Sequence, residues 1–180
     1  MTTRLLARGS LYAAAYVALT LLAGAFGLAS GQVQFRISEA LLPFACVDPA
    51  AVVGFTLGTA VANVFTSSMG PPDWVFGALL TLTAALAMRA VGQRALWHWG
   101  PRVVALATPV VVNAFGVGAE LALILHLPFW LNVAFVGLGE GVVLFTGGLA
   151  VIYVIRSHGP AFGLDTAIRR PGPPRPLERG

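Results

Sequence analysis

Residues 103–125 read VVALATPVVVNAFGVGAELALIL and residues 129–155 read FWLNVAFVGLGEGVVLFTGGLAVIYVI, with only His126-Leu127-Pro128 between them. Each run exceeds the about 20 mostly apolar residues that an α-helix needs to cross the roughly 30 Å hydrocarbon layer of a bilayer. Joined by three residues, they read as an antiparallel pair of membrane spans. Further apolar segments lie outward from this pair: Leu11–Ala29, Ala50–Phe65, Trp74–Met88 and a short Ile37–Val47. As an α-helix the short segment would reach only about 16 Å. It is therefore a half-helix, or a span extended by non-helical chain shielded inside the protein.

Composition agrees. Of 180 residues, 57% are hydrophobic and 10% charged, where an ordinary soluble domain carries about a quarter charged. So few ionised side chains cannot coat a globule of this length in water, which argues against a soluble enzyme. The 21 glycines suit close packing of helices in lipid. The expected fold class is all-α, a polytopic membrane helix bundle of about six transmembrane helices.

The net charge is +4, with no lysine. The arginines sit at the N-terminus, in loops and in the tail, which marks topology and gives no nucleic-acid-binding face. If the short segment crosses, both termini lie inside and Arg36 alone lies outside. If it does not cross, Arg4 and Arg8 move outside. The first arrangement follows the positive-inside rule better. It gives a cell-membrane protein with a cytoplasmic N-terminus at 1–10, a transmembrane domain at 11–156 and a disordered, Arg- and Pro-rich cytoplasmic tail at 157–180. Trp74, Trp97, Trp99 and Trp130 fall near span ends, where an aromatic belt forms. Cys46 excludes an internal disulfide, and His98, His126 and His158 have no metal-ligand spacing. No cofactor is expected. A signal peptide is not evident before Gly31.

The residues that do not suit lipid are Glu39, Asn63, Asn113, Glu120, Asn132 and Glu140. A carboxylate within a membrane helix costs a few kcal/mol or more. No arginine lies deep in the same spans, so a proton, an amide or a ligand is expected to balance the acids. A surface pair of Glu39 with Arg36 is the plainer reading for that residue, as interhelical glue is for the asparagines. Asn113 and Glu120 are seven apart on one helix face, and Asn132 and Glu140 eight apart on the next span. In the six-span arrangement Glu120 lies about 9 Å and Glu140 about 15 Å below the outer end. Carboxylates and amides gathered there suit a planar, donor-rich solute, because a carboxylate accepts two parallel N–H bonds. Phe35 and Trp130 are candidates to stack on it. An enzyme would need a nucleophile or metal set that is not visible. An ion-coupled carrier or channel for another small polar solute remains as the alternative.

The stretches VQFRISEAL (33–41), PAAVVGFTLGTAVAN (49–63), DWVFGALLTLTA (73–84), PVVVNAFGVGAE (109–120) and LPFWLNVAFVGLGE (127–140) resemble, in order, segments of the QueT-type queuosine precursor transporters. The resemblance runs from about Leu11 to Ile155 and leaves out the tail. It implies a six-helix S component of an energy-coupling factor transporter, which captures 7-deazaguanines. Such a subunit has no ATPase of its own; it docks on a coupling transmembrane subunit with a pair of ABC ATPases. No Walker motif occurs in the sequence. Docking in such subunits uses small residues on the first helix, which here would be Ala14 and Ala18, although plain packing within the chain explains them as well. Carried onto matching positions, the ligand-binding residues are Glu39, Asn113, Glu120, Asn132 and Glu140.

Overall fold

The computed structural model describes residues 3–27, 35–67 and 69–164, and the regular structure among them is helical throughout. The order is α1 Thr3–Ala25, a 3₁₀ helix Ile37–Cys46, α2 Pro49–Thr66, α3 Pro71–Val91, α4 Arg94–Trp97, α5 Trp99–Leu125, α6 Phe129–Val143, a π turn Leu144–Gly148, α7 Leu149–His158 and a 3₁₀ turn Gly159–Phe162. Five runs are long and apolar enough to cross a membrane, the last being the continuous Phe129–His158. Leu11, Leu57, Leu79, Leu123 and Leu138, on four different helices and the last span, are each more than half exposed. Large apolar side chains turned outward on every long helix are what lipid permits and water does not. The chain is a multi-pass membrane protein.

The boundaries differ from expectation at both ends. α1 starts at Thr3, so most of the segment expected as a separate N-terminus is helix. It stops at Ala25, not Ala29, because Gly27 takes φ 71 and its amide turns back to the Gly24 carbonyl at 2.9 Å, a glycine stop. At the other end the structure continues past 157: α7 runs to His158 and Leu164 is buried. Residues 165–180, the rest of the expected disordered tail, lie outside the described residues.

The short segment is the most informative element. Pro43, inside it, lacks an N–H and disfavours the α-helix, and the chain winds as 3₁₀. At about 2.0 Å per residue, ten residues then reach about 20 Å. At its start Arg36 lies in the field of Asp73. At its end the Cys46 thiol donates to the Met88 carbonyl at 3.4 Å. Asp73 and Met88 are fifteen residues, about 22 Å, apart on α3. The tight helix thus covers the depth of its α-helical neighbour, and the chain makes six traverses in alternating directions. Ser38, Glu39, Ala40 and Leu42–Cys46 are buried, so the non-α backbone is enclosed by protein, the condition for its presence at this depth.

Small residues allow the enclosure. A Cβ on Gly54 would lie 2.6 Å from the Gly9 carbonyl oxygen, and one on Gly58 3.0 Å from the Tyr16 Cβ, so α2 meets α1 backbone to backbone. At the π turn a Cβ on Gly147 would lie 2.8 Å from that of Ala40. The apolar core, with Leu42, Phe55, Met88, Leu96, Leu106, Leu144 and Ile155 fully buried, fills the half of the bundle nearer Cys46. That end is basic. Arg8 pairs with Asp48 at 2.7 Å, Arg102 donates to the Ala95 and Leu96 carbonyls, and Arg156 lies over the Trp97 ring.

Candidate binding site

At the opposite end the chain buries charge. Glu39 and Asn132 are 0% exposed, Glu140 and Asn113 1%, Asp73 2%, Glu120 4% and Arg36 7%. Four traverses bring them there. The first turn of the 3₁₀ helix carries Arg36 and Glu39, and the Tyr16 hydroxyl of α1 donates to Glu39 Oε1. One helical turn further along α1, the Thr20 hydroxyl donates to Ser38 Oγ at 2.8 Å. The same two pairs set the register of α1 against the 3₁₀ helix.

α5 and α6 pack antiparallel through Gly118, where a Cβ would stand 2.9 Å from Val133. In that register Asn113 faces Glu140, donating from Nδ2 to Oε1 at 3.2 Å. The same register sets Asn132 level with Glu120. α3 begins at Pro71-Pro72, where ring-fixed φ angles suit a helix start, and places Asp73 in its first turn, where the dipole favours a carboxylate. Asn63 of α2 donates from Nδ2 to the Asp73 carbonyl at 3.0 Å. Gly77 leaves room for both, since a Cβ there would lie 2.5 Å from Asn63 Nδ2 and 3.0 Å from Asp73 Oδ1. Asn63 is therefore the glue between α2 and α3.

Arg36 is in electrostatic contact with Glu39, Asp73 and Glu140, and with Glu120. Asp73 and Glu120 lie in each other's electrostatic field, and as carboxylates both are acceptors only. Eight buried atoms of this cluster make no hydrogen bond within the described residues: Glu39 Oε2, Asp73 Oδ1, Asn113 Oδ1, Glu120 Oε1 and Oε2, Asn132 Nδ2 and Oδ1, and Glu140 Oε2. Buried polar atoms in native proteins nearly always have partners. This many exceptions in one place make the cluster the candidate site. Its chemistry is acceptor-rich, with the Asn132 amide as donor. Among the described residues no three His, Cys, Asp or Glu side chains are grouped to hold a metal.

The structure corrects the sequence reading on the counter-charge. An arginine does lie among the acids: Arg36 is buried, not paired with Glu39 at the surface. Asp73 and Tyr16 join the cluster unannounced. Arg36 carried a signal, as the one arginine apart from the basic end, and Asp73 another, as an acid directly after a helix-starting Pro-Pro. Tyr16 carried none. Of the proposed stacking rings, Phe35 is half-buried next to Arg36. Trp130 is 73% exposed, packs edge-on against Phe115 and Phe129, and is not brought to the cluster. Ala14 and Ala18 lie exposed on α1, away from α2. A groove of about 330 Å³ between α3 and α5 reaches the cluster from the side; its walls are Pro72, Val75, Phe76, Leu79, Leu123 and Ile124, and Glu120 is its one acid.

The family description QueT transporter matches residues 6–157, a span that contains all six traverses and every residue of the cluster. This chain belongs to the QueT transporter family. It is also 26% identical over 144 residues to the Queuosine precursor transporter QueT of Lactococcus lactis subsp. cremoris (strain MG1363), an alignment covering 77% of this chain and 84% of that protein. No solved structure matches it. For a QueT-family transporter, a buried set of unpartnered acceptors at one end of the bundle is the feature on which solute recognition can rest.

Proposed function

We propose that this chain is the membrane-embedded substrate-binding S component of an energy-coupling factor transporter, and that it captures a queuosine precursor, a 7-deazaguanine such as preQ0 or preQ1. The observation that carries this reading is the set of unpartnered acceptors among buried side chains. The likeness to the Lactococcus queuosine precursor transporter supports the choice of solute. The positive-inside rule puts the basic end in the cytoplasm, together with both ends of the chain, and the acid cluster then faces outward.

Glu140 has one oxygen held by Asn113 and the other free, and Glu39 beside it has one oxygen held by Tyr16 and the other free. Held in this way, they are oriented to accept the parallel N–H donors of an amidine-like base edge, the strong charge-assisted kind. Asn113 Oδ1 and the Asn132 amide bond exocyclic groups. Phe35, not the exposed Trp130, is the ring placed to stack. On α1, the span with the smallest buried share, the exposed Ala14 and Ala18 offer a small-residue face to the coupling subunit, and ABC ATPases bound to that subunit supply the energy.

Reconstitution in liposomes tests this. With coupling subunit and ATPases present, accumulation of the deazaguanine depends on ATP, and Ala14→Trp abolishes uptake while leaving solute binding intact. Accumulation by the chain alone, driven by an ion gradient, would favour an ion-coupled carrier instead.

A further inference from the structure

We propose that Asp73 and Glu120, with Asn132, form a subsite for a primary ammonium group, so that the solute is a planar base carrying a protonated amine on a short arm. The inference deepens the function proposed above and rests on it.

The argument is one of charge and donors. Four buried carboxyl groups share one buried guanidinium, that of Arg36. Glu39 and Glu140 each have a neutral donor of their own, from Tyr16 and Asn113. The other two interact electrostatically, and neither Asp73 Oδ1 nor either oxygen of Glu120 has a hydrogen bond among the described residues. Beyond Glu120, the flank toward lipid is lined by Pro72, Val75, Phe76, Leu79, Leu123 and Ile124, so among the described residues no cation lines that side.

Two carboxylates in contact in a low-dielectric setting repel strongly unless a positive charge joins them. A primary ammonium is a compact point charge with three N–H donors and no acceptor. The acceptors left without a partner here are Asp73 Oδ1 and the two Glu120 oxygens, and the α5–α6 register sets Asn132, whose Oδ1 is also unpartnered, level with Glu120. Glu140 and Asn132 are eight residues apart on α6, about 12 Å. That separation suits a bicyclic base with a one-carbon arm and a hydrogen bond at each end. Among 7-deazaguanines, the subsite selects a 7-aminomethyl compound over one with a neutral 7-nitrile.

The test is calorimetric titration of the full chain in lipid nanodiscs with 7-aminomethyl-7-deazaguanine and 7-cyano-7-deazaguanine. The wild type is expected to bind the amine at least about tenfold more tightly, the scale of a charge-assisted contact. Asp73→Asn and Glu120→Gln each weaken amine binding more than nitrile binding, which brings that preference to near parity. Equal affinities in the wild type would show a carboxyl pair bridged by a proton and overturn the subsite, as would a preference that survives in both variants. Binding of neither compound would overturn the queuosine-precursor reading itself, and the subsite with it.

Discussion

At the basic end, Arg8 meets Asp48, Arg102 is held by two backbone carbonyls and Arg156 rests on Trp97. At the opposite end Arg36 lies among Glu39, Asp73, Glu120 and Glu140, and eight polar atoms around it are left without bonds. The contrast separates two uses of charge in a membrane protein. Each arginine of the first kind has a partner within the chain, an ion pair, backbone carbonyls or a ring. Charges of the second kind are drawn inside and left incomplete. Folding alone does not favour incomplete bonding, and solute binding is the reason proposed for it.

Substitutions can break the contrast, the largest effect coming first. Arg36→Gln removes the one guanidinium that, among the described residues, faces the buried acids. The expected loss is about 3–5 kcal/mol, as for other buried charges stripped of a partner, and it shows as a lower midpoint of thermal unfolding in detergent. An unchanged midpoint would mean that the acids hold themselves neutral. Tyr16→Phe takes one donor from Glu39 and keeps the ring. A hydrogen bond to a charged group contributes about 1.5–3 kcal/mol, and the same melting experiment reads the smaller drop. Arg8→Gln at the basic end disturbs a partly exposed pair, whose side chains are 34% and 3% accessible. The expected change is at most about 1 kcal/mol. A drop as large as that for Arg36 would erase the distinction between the two ends.

Much of the bundle was legible because lipid imposes a simple rule: long apolar runs cross. Residues 103–125 and 129–155 could hardly be read otherwise. The short segment was ambiguous because length in residues becomes length in ångströms only once the helix type is known, and the 3₁₀ winding around Pro43 is a tertiary outcome. The ends of α1 and of the last span were misplaced because hydropathy does not register a glycine stop at Gly27 or the buried Leu164. Among the site residues, Glu39, Asn113, Glu120, Asn132 and Glu140 stood out because each is costly in lipid. Arg36 and Asp73 carried weaker signals, since both lie where a span begins and read as boundary residues. Tyr16 is an ordinary residue in an apolar helix until Glu39 is brought to it. Trp130, near the cluster in sequence, lies exposed against Phe115 and Phe129, since nearness in sequence gives no direction to the side chain.

The central claim is that the acids buried away from the basic end are there to hold an incoming solute. Calorimetry of a 7-deazaguanine binding to the purified chain, wild type against Glu140→Gln, tests it most directly. A loss of roughly tenfold to a hundredfold in affinity, on the scale of one hydrogen bond to a charged group, with the melting midpoint of the free protein held or raised, is the predicted result. Equal affinity in the two proteins would contradict the account.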